Sequence, residues 1–150
     1  MNGFEIGTDG PQSIVVGIDG SDTSLRATAY AWGLARRQGS KLIFVYAPGT
    51  GSTISPFVPD ATISAMSAAD EVAADLRDRI AGASDTIHPP VSYTFRVEPG
   101  DAASVLIRVA DEVRADAVVV GSSAQAGHRL IGSVAIRLVR AGRWPVTVVP

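Results

Sequence analysis

Short apolar runs alternate with amphipathic segments along the whole chain, and that alternation sets the fold class. Residues 13–18 (SIVVGI), 41–47 (KLIFVYA), 91–97 (VSYTFRV), 117–120 (AVVV) and 145–149 (PVTVV) are rich in β-branched and aromatic residues. Runs with little polar alternation suit strands covered on both faces. The segments between them have helical spacing. Residues 22–38 place Ala27, Ala31, Leu34 and Ala35 on one stripe, with Thr23 or Ser24 to cap the start and Gly39 to end it. Residues 60–81 do the same with Ala65, Ala69, Val72, Leu76 and Ile80, and residues 101–114 with Leu106, Ile107, Ala110 and Val113. Asp101 stands where a carboxylate offsets a helix dipole. A last helix is expected over residues 133–141. The order β-α-β-α-β-α-β-α-β predicts an α/β fold with a mostly parallel sheet, helices on both faces and right-handed crossovers. Such sheets hold ligands at the carboxyl ends of strands, where the strand order reverses.

A chain of 150 residues suits one domain. The polar, glycine-containing segment 1–12 reads as a flexible tail, and residues 13–150 as the folded unit. Residues 48–59 form a Gly/Ser/Pro connection without periodicity, a length common in lids and binding loops. The formal charge of -2 gives no electrostatic footprint for nucleic acid or an anionic membrane. No segment has the apolar length of a membrane span, and the first residues lack a basic-then-apolar signal pattern. Cysteine is absent, which excludes disulfides, thiolate metal sites and cysteine nucleophiles.

The segment DAVVVGSSAQAGHRLIGS, residues 116–133, carries the most chemistry. An apolar run breaks into Gly121 and a small-residue loop, then resumes at Gly132 and Ser133 as a helix. A strand, a glycine-rich turn and a helix N-terminus in that order form an anion pocket, because free backbone N–H groups and the positive dipole end face the turn. The same glycines serve equally as a plain strand-to-helix connection. Asp19, after the first strand, is either a ligand-facing carboxylate or a turn aspartate. Arg129 suits a phosphate, while His128 reads as a solvated loop residue. His88 precedes two prolines and has no partner at metal-ligand spacing, so no metal site is expected. Ser122 and Ser133 lack a histidine–acid arrangement, so no nucleophilic catalysis is expected. Trp32 and Trp144 read as packing residues, and Asp75, Asp78, Asp111 and Glu112 as solvated charges. A phosphoacceptor receiver domain would need a tight acidic cluster after the first strand and a lysine near the last, and a flavodoxin a Thr/Ser-rich first loop. Neither set is present.

Three segments resemble the universal stress protein family: VVGIDGS at residues 15–21, residues 100–120, and residues 132–149 beginning GSV and ending PVTVV. With the helix order, the resemblance covers residues 13–150. It implies a three-layer sandwich with a five-stranded parallel sheet in order 3-2-1-4-5, the adenine nucleotide alpha-hydrolase-like fold. Nucleotide-binding members carry Gly-x2-Gly-x9-Gly-Ser/Thr in the loop. Gly121 matches the first glycine and Gly132–Ser133 the closing pair, but Ala124 replaces the middle glycine and only ten residues separate Gly121 from Gly132. Gly127 is the permissive residue left in the shorter loop. The resemblance implies a cytoplasmic stress or signalling module binding an adenine nucleotide, ATP first, with AMP or cyclic AMP as alternatives and Mg2+ only as the nucleotide's counter-ion. Gly17, Ile18 and Asp19 would hold the adenine beside Ala47. Gly121, Ser122, Gly127, Arg129, Gly132, Ser133 and the Val134 N–H would hold ribose and phosphates. At most a slow ATP hydrolysis is implied, since the loop offers no general base. It further implies a homodimer through the edge strand from Pro145 to Val149. The alternative is a dimeric protein-interaction module of the same family that no longer binds nucleotide.

Overall fold

The computed structural model describes residues 11–49, 59–123 and 131–150, with the side chains of 59–67 outside the description. Nine elements follow in the expected order. The strands are β1 (Ser13–Gly17), β2 (Lys41–Tyr46), β3 (Tyr93–Val97), β4 (Ala117–Gly121) and β5 (Val146–Val149). The helices are α1 (Asp22–Gln38), α2 (Pro59–Thr86), α3 (Ala102–Glu112) and α4 (Ser133–Ala141). The sheet is parallel throughout, in order β3-β2-β1-β4-β5. β1 is therefore central, with Val16 opposite Phe44 on one side and Val119 on the other.

Alternate residues of each strand feed two separate cores. Ile14, Val16, Leu42, Phe44 and Val119 pack under α1 and α2, while Val15, Ile43, Val45, Val118 and Val120 pack under α3 and α4. Trp32 sits in the first core with its ring centroid 5.4 Å from Phe44 and 5.6 Å from Tyr93. Trp144 is half-buried against the second core, with the Arg143 guanidinium 6.0 Å from its ring centroid. Both tryptophans are packing residues, as expected.

The differences lie at element ends and helix faces. α1 is capped by Ser21, whose hydroxyl accepts from Ser24 N at 3.3 Å, and not by Thr23 or Ser24. Ser24 is buried and donates its own hydroxyl to Ser21 O. α2 runs further than residues 60–81, and its inward stripe is Ala73, Leu76 and Ile80, with Val72 38% exposed. In α3, Val105 and Val109 are buried while Ile107 and Val113 are half-buried, because this helix meets both the sheet and α4. Pro145 precedes β5 and joins the ladder only as an acceptor, from Val118 N at 3.0 Å. Several surface carboxylates are paired rather than merely solvated: Asp75 with Arg79, Asp111 with Arg143, and Glu112 with Arg96 and Arg108.

Of the segment 1–12, residues 1–10 lie outside the described residues. Pro11 and Gln12 are bonded to the body: Gln12 O accepts from Lys41 N at 2.7 Å, and Gln12 N donates to Asp116 Oδ2 at 3.0 Å. Among the described residues no helix is long and apolar enough to cross a membrane.

Candidate functional site

The sheet order reverses between β1 and β4. α1 leaves the end of β1 toward one face and α4 leaves the end of β4 toward the other, so a crevice opens between them. It is a cleft of about 180 Å³ at the carboxyl ends of β1, β2 and β4. That is smaller than the ~300–1,000 Å³ of pockets that enclose a drug-sized ligand. The cleft accordingly suits one compact moiety, such as a base or a sugar, with the remainder of a ligand at its mouth.

The β1 side is built by a tight turn. Ile18 N donates to Val45 O at 3.0 Å, which extends the sheet by one bond beyond β1. Asp19 Oδ1 then accepts from Ser21 N at 2.9 Å, closing an Asx turn through Gly20, whose φ of +86° favours glycine. Partial desolvation pushes the Asp19 carboxyl up, but hydrogen bonds from Ser21 and Ser24 outweigh it and hold its pKa below the ordinary aspartate value. Asp19 is thus an anion at neutral pH. At the end of β2, burial and then the Asp19 charge push the Tyr46 phenol up. Ala47 follows Tyr46 and lines the cleft.

The β4 side is built by close approach. A Cβ on Gly121 would lie 2.5 Å from the Thr23 carbonyl carbon and 2.6 Å from Ser24 N, so only glycine lets the first turn of α1 rest on the end of β4. Thr23 Oγ1 fastens that contact by donating to Ser122 O at 2.7 Å, and Ser122 N donates to Val149 O at 2.8 Å. Gly132 is the N-cap of α4, and a Cβ there would meet Ser123 Cβ at 2.9 Å.

Three helix N-termini, those of α1, α3 and α4, contribute lining residues to this one cleft. α1 is capped by Ser21, and α3 by Asp101, whose carboxylate accepts from Ser104 N at 3.0 Å. At α4 the cap is a glycine and makes no side-chain bond. Ser133, Val134 and Ala135, in its first turn, line the cleft. Among the described residues nothing accepts from the Ser133, Val134 and Ala135 N–H groups at this helix start, which also carries the positive end of a dipole, a setting that favours an anion.

Gly17, Ile18, Asp19, Ala47, Gly121, Ser122, Gly132, Ser133 and Val134 all line this cleft. Gly127 and Arg129, with Ala124 and His128, lie outside the described residues. Ser21, Thr23, Ser24 and Ala102 also line the cleft without having been singled out. The hydroxyl-rich sequence Ser21-Asp-Thr-Ser directly after Asp19-Gly20 is the signal that could have found the first three. Among the described residues, no group of three or more His, Asp or Glu side chains is placed to hold a metal ion.

The sequence profile of the Universal stress protein family matches residues 11–150. Universal stress protein Rv2005c of Mycobacterium tuberculosis is 34% identical over 137 residues, covering 90% of this chain and 44% of its own length. The chain therefore spans less than half of that relative. Universal stress protein UspA from Lactobacillus plantarum superposes with a TM-score of 0.78 at 19% identity, over 93% of this chain and 97% of its own. A universal stress protein solved in complex with cAMP is 32% identical, with a TM-score of 0.62 over 93% of this chain and 96% of its own. The sheet order and the helices on both faces are those of the adenine nucleotide alpha-hydrolase-like fold. By matched length, identity and fold together, the chain belongs to the universal stress protein family.

Proposed function

We propose that the cleft binds an adenine nucleotide, ATP before AMP or cyclic AMP, and that the protein is a cytoplasmic stress or signalling module acting as a homodimer. The observation that carries this reading is the α4 N-terminus, whose glycine cap offers its N–H donors no side-chain acceptor, facing the Asp19 turn across one cleft. The base sits against Ile18 and Ala47, with Asp19 accepting from a base N–H. Oδ1 already holds the turn, so Oδ2 takes the ligand. Gly17, where a Cβ would meet the cleft-lining Leu106 and Val120 side chains, keeps that wall low for ribose, and Gly121 and Gly132 line the ribose end while their missing side chains admit Thr23, Ser24 and Ser123. Ser122, Ser133 and the Val134 N–H receive phosphate oxygens, and Gly127 and Arg129 of the connecting loop complete that end. Mg2+ enters only as the nucleotide's counter-ion. A related protein of similar length is known as a complex with cAMP, which supports an adenine ligand of this class.

A charge-assisted hydrogen bond contributes about 1.5–3 kcal/mol, so Asp19→Ala weakens binding by roughly one to two decades. Calorimetry with ATP and adenosine, on the parent protein and this variant, tests the reading. Absence of binding by either ligand, with no nucleotide released from the denatured protein, favours instead a dimeric interaction module. Ala124 in place of the loop's middle glycine is the residue that would account for that outcome.

A further inference from the structure

A second cavity, of about 580 Å³, lies between α1 and the C-terminal half of α2, on the other side of Ile18. Ile18 is the one described residue that lines both cavities. The floor is apolar: Ile18, Trp32 and Ile80 are each at most 4% exposed, and Leu25 and Ile87 pack beside them. The space persists because the facing positions carry small residues, Ala29 and Gly33 on α1 and Ala83 on α2. Ala29, Arg36, Arg79, Ala83, Thr86 and His88 at its rim are exposed, so this is a groove open to solvent, of a size within the ~300–1,000 Å³ of small-molecule pockets.

The polar groups around it share one sign. Arg36 comes from α1 and Arg79 from α2, and no carboxylate is among the described lining residues. Among the described residues, Arg36 makes one long bond, Nη1 to His88 O at 3.4 Å. Arg79 pairs through Nε with Asp75 Oδ2 at 2.8 Å. Asp75 offsets the charge of Arg79, so Arg36 is the guanidinium at the mouth that has no carboxylate partner among the described residues. The buried Trp32 Nε1–H in the wall, moreover, has no acceptor among the described residues.

We propose that this cavity binds an apolar monocarboxylate, of the medium-chain fatty acid type, with the tail against Trp32 and Ile80 and the carboxylate held by Arg36 and Arg79. Guanidinium forks match a carboxylate in shape and charge, and burial of the tail supplies the remaining affinity. The proposal is independent of nucleotide binding in the first cleft.

Trp32 supplies the readout. In a Trp144→Phe background it is the sole indole, and titration with hexanoate, octanoate and decanoate is followed by its emission and by calorimetry. The expected result is a saturable change, with affinity rising about fourfold for each added methylene. Decanol, with the same tail and no charge, binds about tenfold more weakly than decanoate, and Arg36→Gln with Arg79→Gln removes that advantage. Ala83 is exposed, so Ala83→Phe fills the mouth without disturbing the core, and decanoate binding is lost while the circular dichroism spectrum stays that of the parent. No saturable response, affinity independent of tail length, decanol binding as tightly as decanoate, or binding that survives Ala83→Phe would each overturn the proposal.

Discussion

The backbone of α1 fills the space that a side chain on residue 121 would need. Backbone atoms cannot step aside as a side-chain tip can, so Gly121→Ala forces α1 and β4 apart. The expected loss is about 1–3 kcal/mol, read as a lower urea midpoint at unchanged slope. The glycine that reads in sequence as a phosphate-loop residue thus has a packing role of its own. Asp101 shows a different kind of double duty. It caps α3 and takes Arg137 at 2.5 Å, and its pKa falls from 3.8 to about 2, with bonds from Ser104 the first cause and Arg137 the next. Because the folded pKa is depressed, this stability is present above the unfolded value of 3.8 and is lost as pH falls through about 2. Asp101→Asn keeps a capping oxygen but removes the titration. The melting temperature of the variant should therefore fall less steeply than that of the parent over this window.

At the scale of elements, the strands were the most legible part of the sequence. β1, β2 and β4 are buried on both faces, so they appear as unbroken β-branched runs that helical spacing cannot imitate. Helix ends were less legible, because a cap is decided by which hydroxyl reaches which N–H. Ser21, Thr23 and Ser24 are all good capping residues, and only the Asx turn at Asp19 makes Ser21 the cap. Ser21→Ala should lower stability by about 1 kcal/mol, whereas Thr23→Ala spares the cap and loosens the bond to Ser122 O instead. Equilibrium unfolding of the two variants, with Ser21→Ala losing its cap stabilisation, checks the assignment. That Asp19 and Gly121 stand at strand ends, where the cleft opens, was legible for the same reason as the strands. Ser21 and Thr23 were not, since their part in the cleft depends on α1 folding back onto β4. The second cavity left no mark in any linear pattern, because it comes from small residues on two helices far apart in sequence.

For the whole molecule, the proposed dimer rests on the β5 edge. Val118 N bonds Pro145 O, and Ser122 N bonds Val149 O, so the odd-numbered residues face β4 and the main chain of Val146 and Val148 faces outward. Ile131 and Val139, each 59% exposed, add apolar surface at α4. Val148 itself packs toward the core under α3 and α4, so a charged substitution there would test folding as much as pairing. Val148→Pro instead removes one outward N–H while staying apolar, a change tolerated on an edge strand. Light scattering at micromolar concentration should show half the parent's mass, and an unchanged mass would sink pairing through this edge.

The central place of β1 also governs how the molecule comes into being. Its second neighbour pairs Ile14 with Ala117, and Asp116 holds the Gln12 and Ser13 amides at 3.0 and 2.9 Å. While the chain is being synthesised, β1 and β2 are complete some 75 residues before β4 is, roughly 4–15 s at ordinary elongation rates. For that interval Ile14, Val15 and Val16 present an open, uncharged sheet edge, the kind of surface that other nascent chains and chaperones capture.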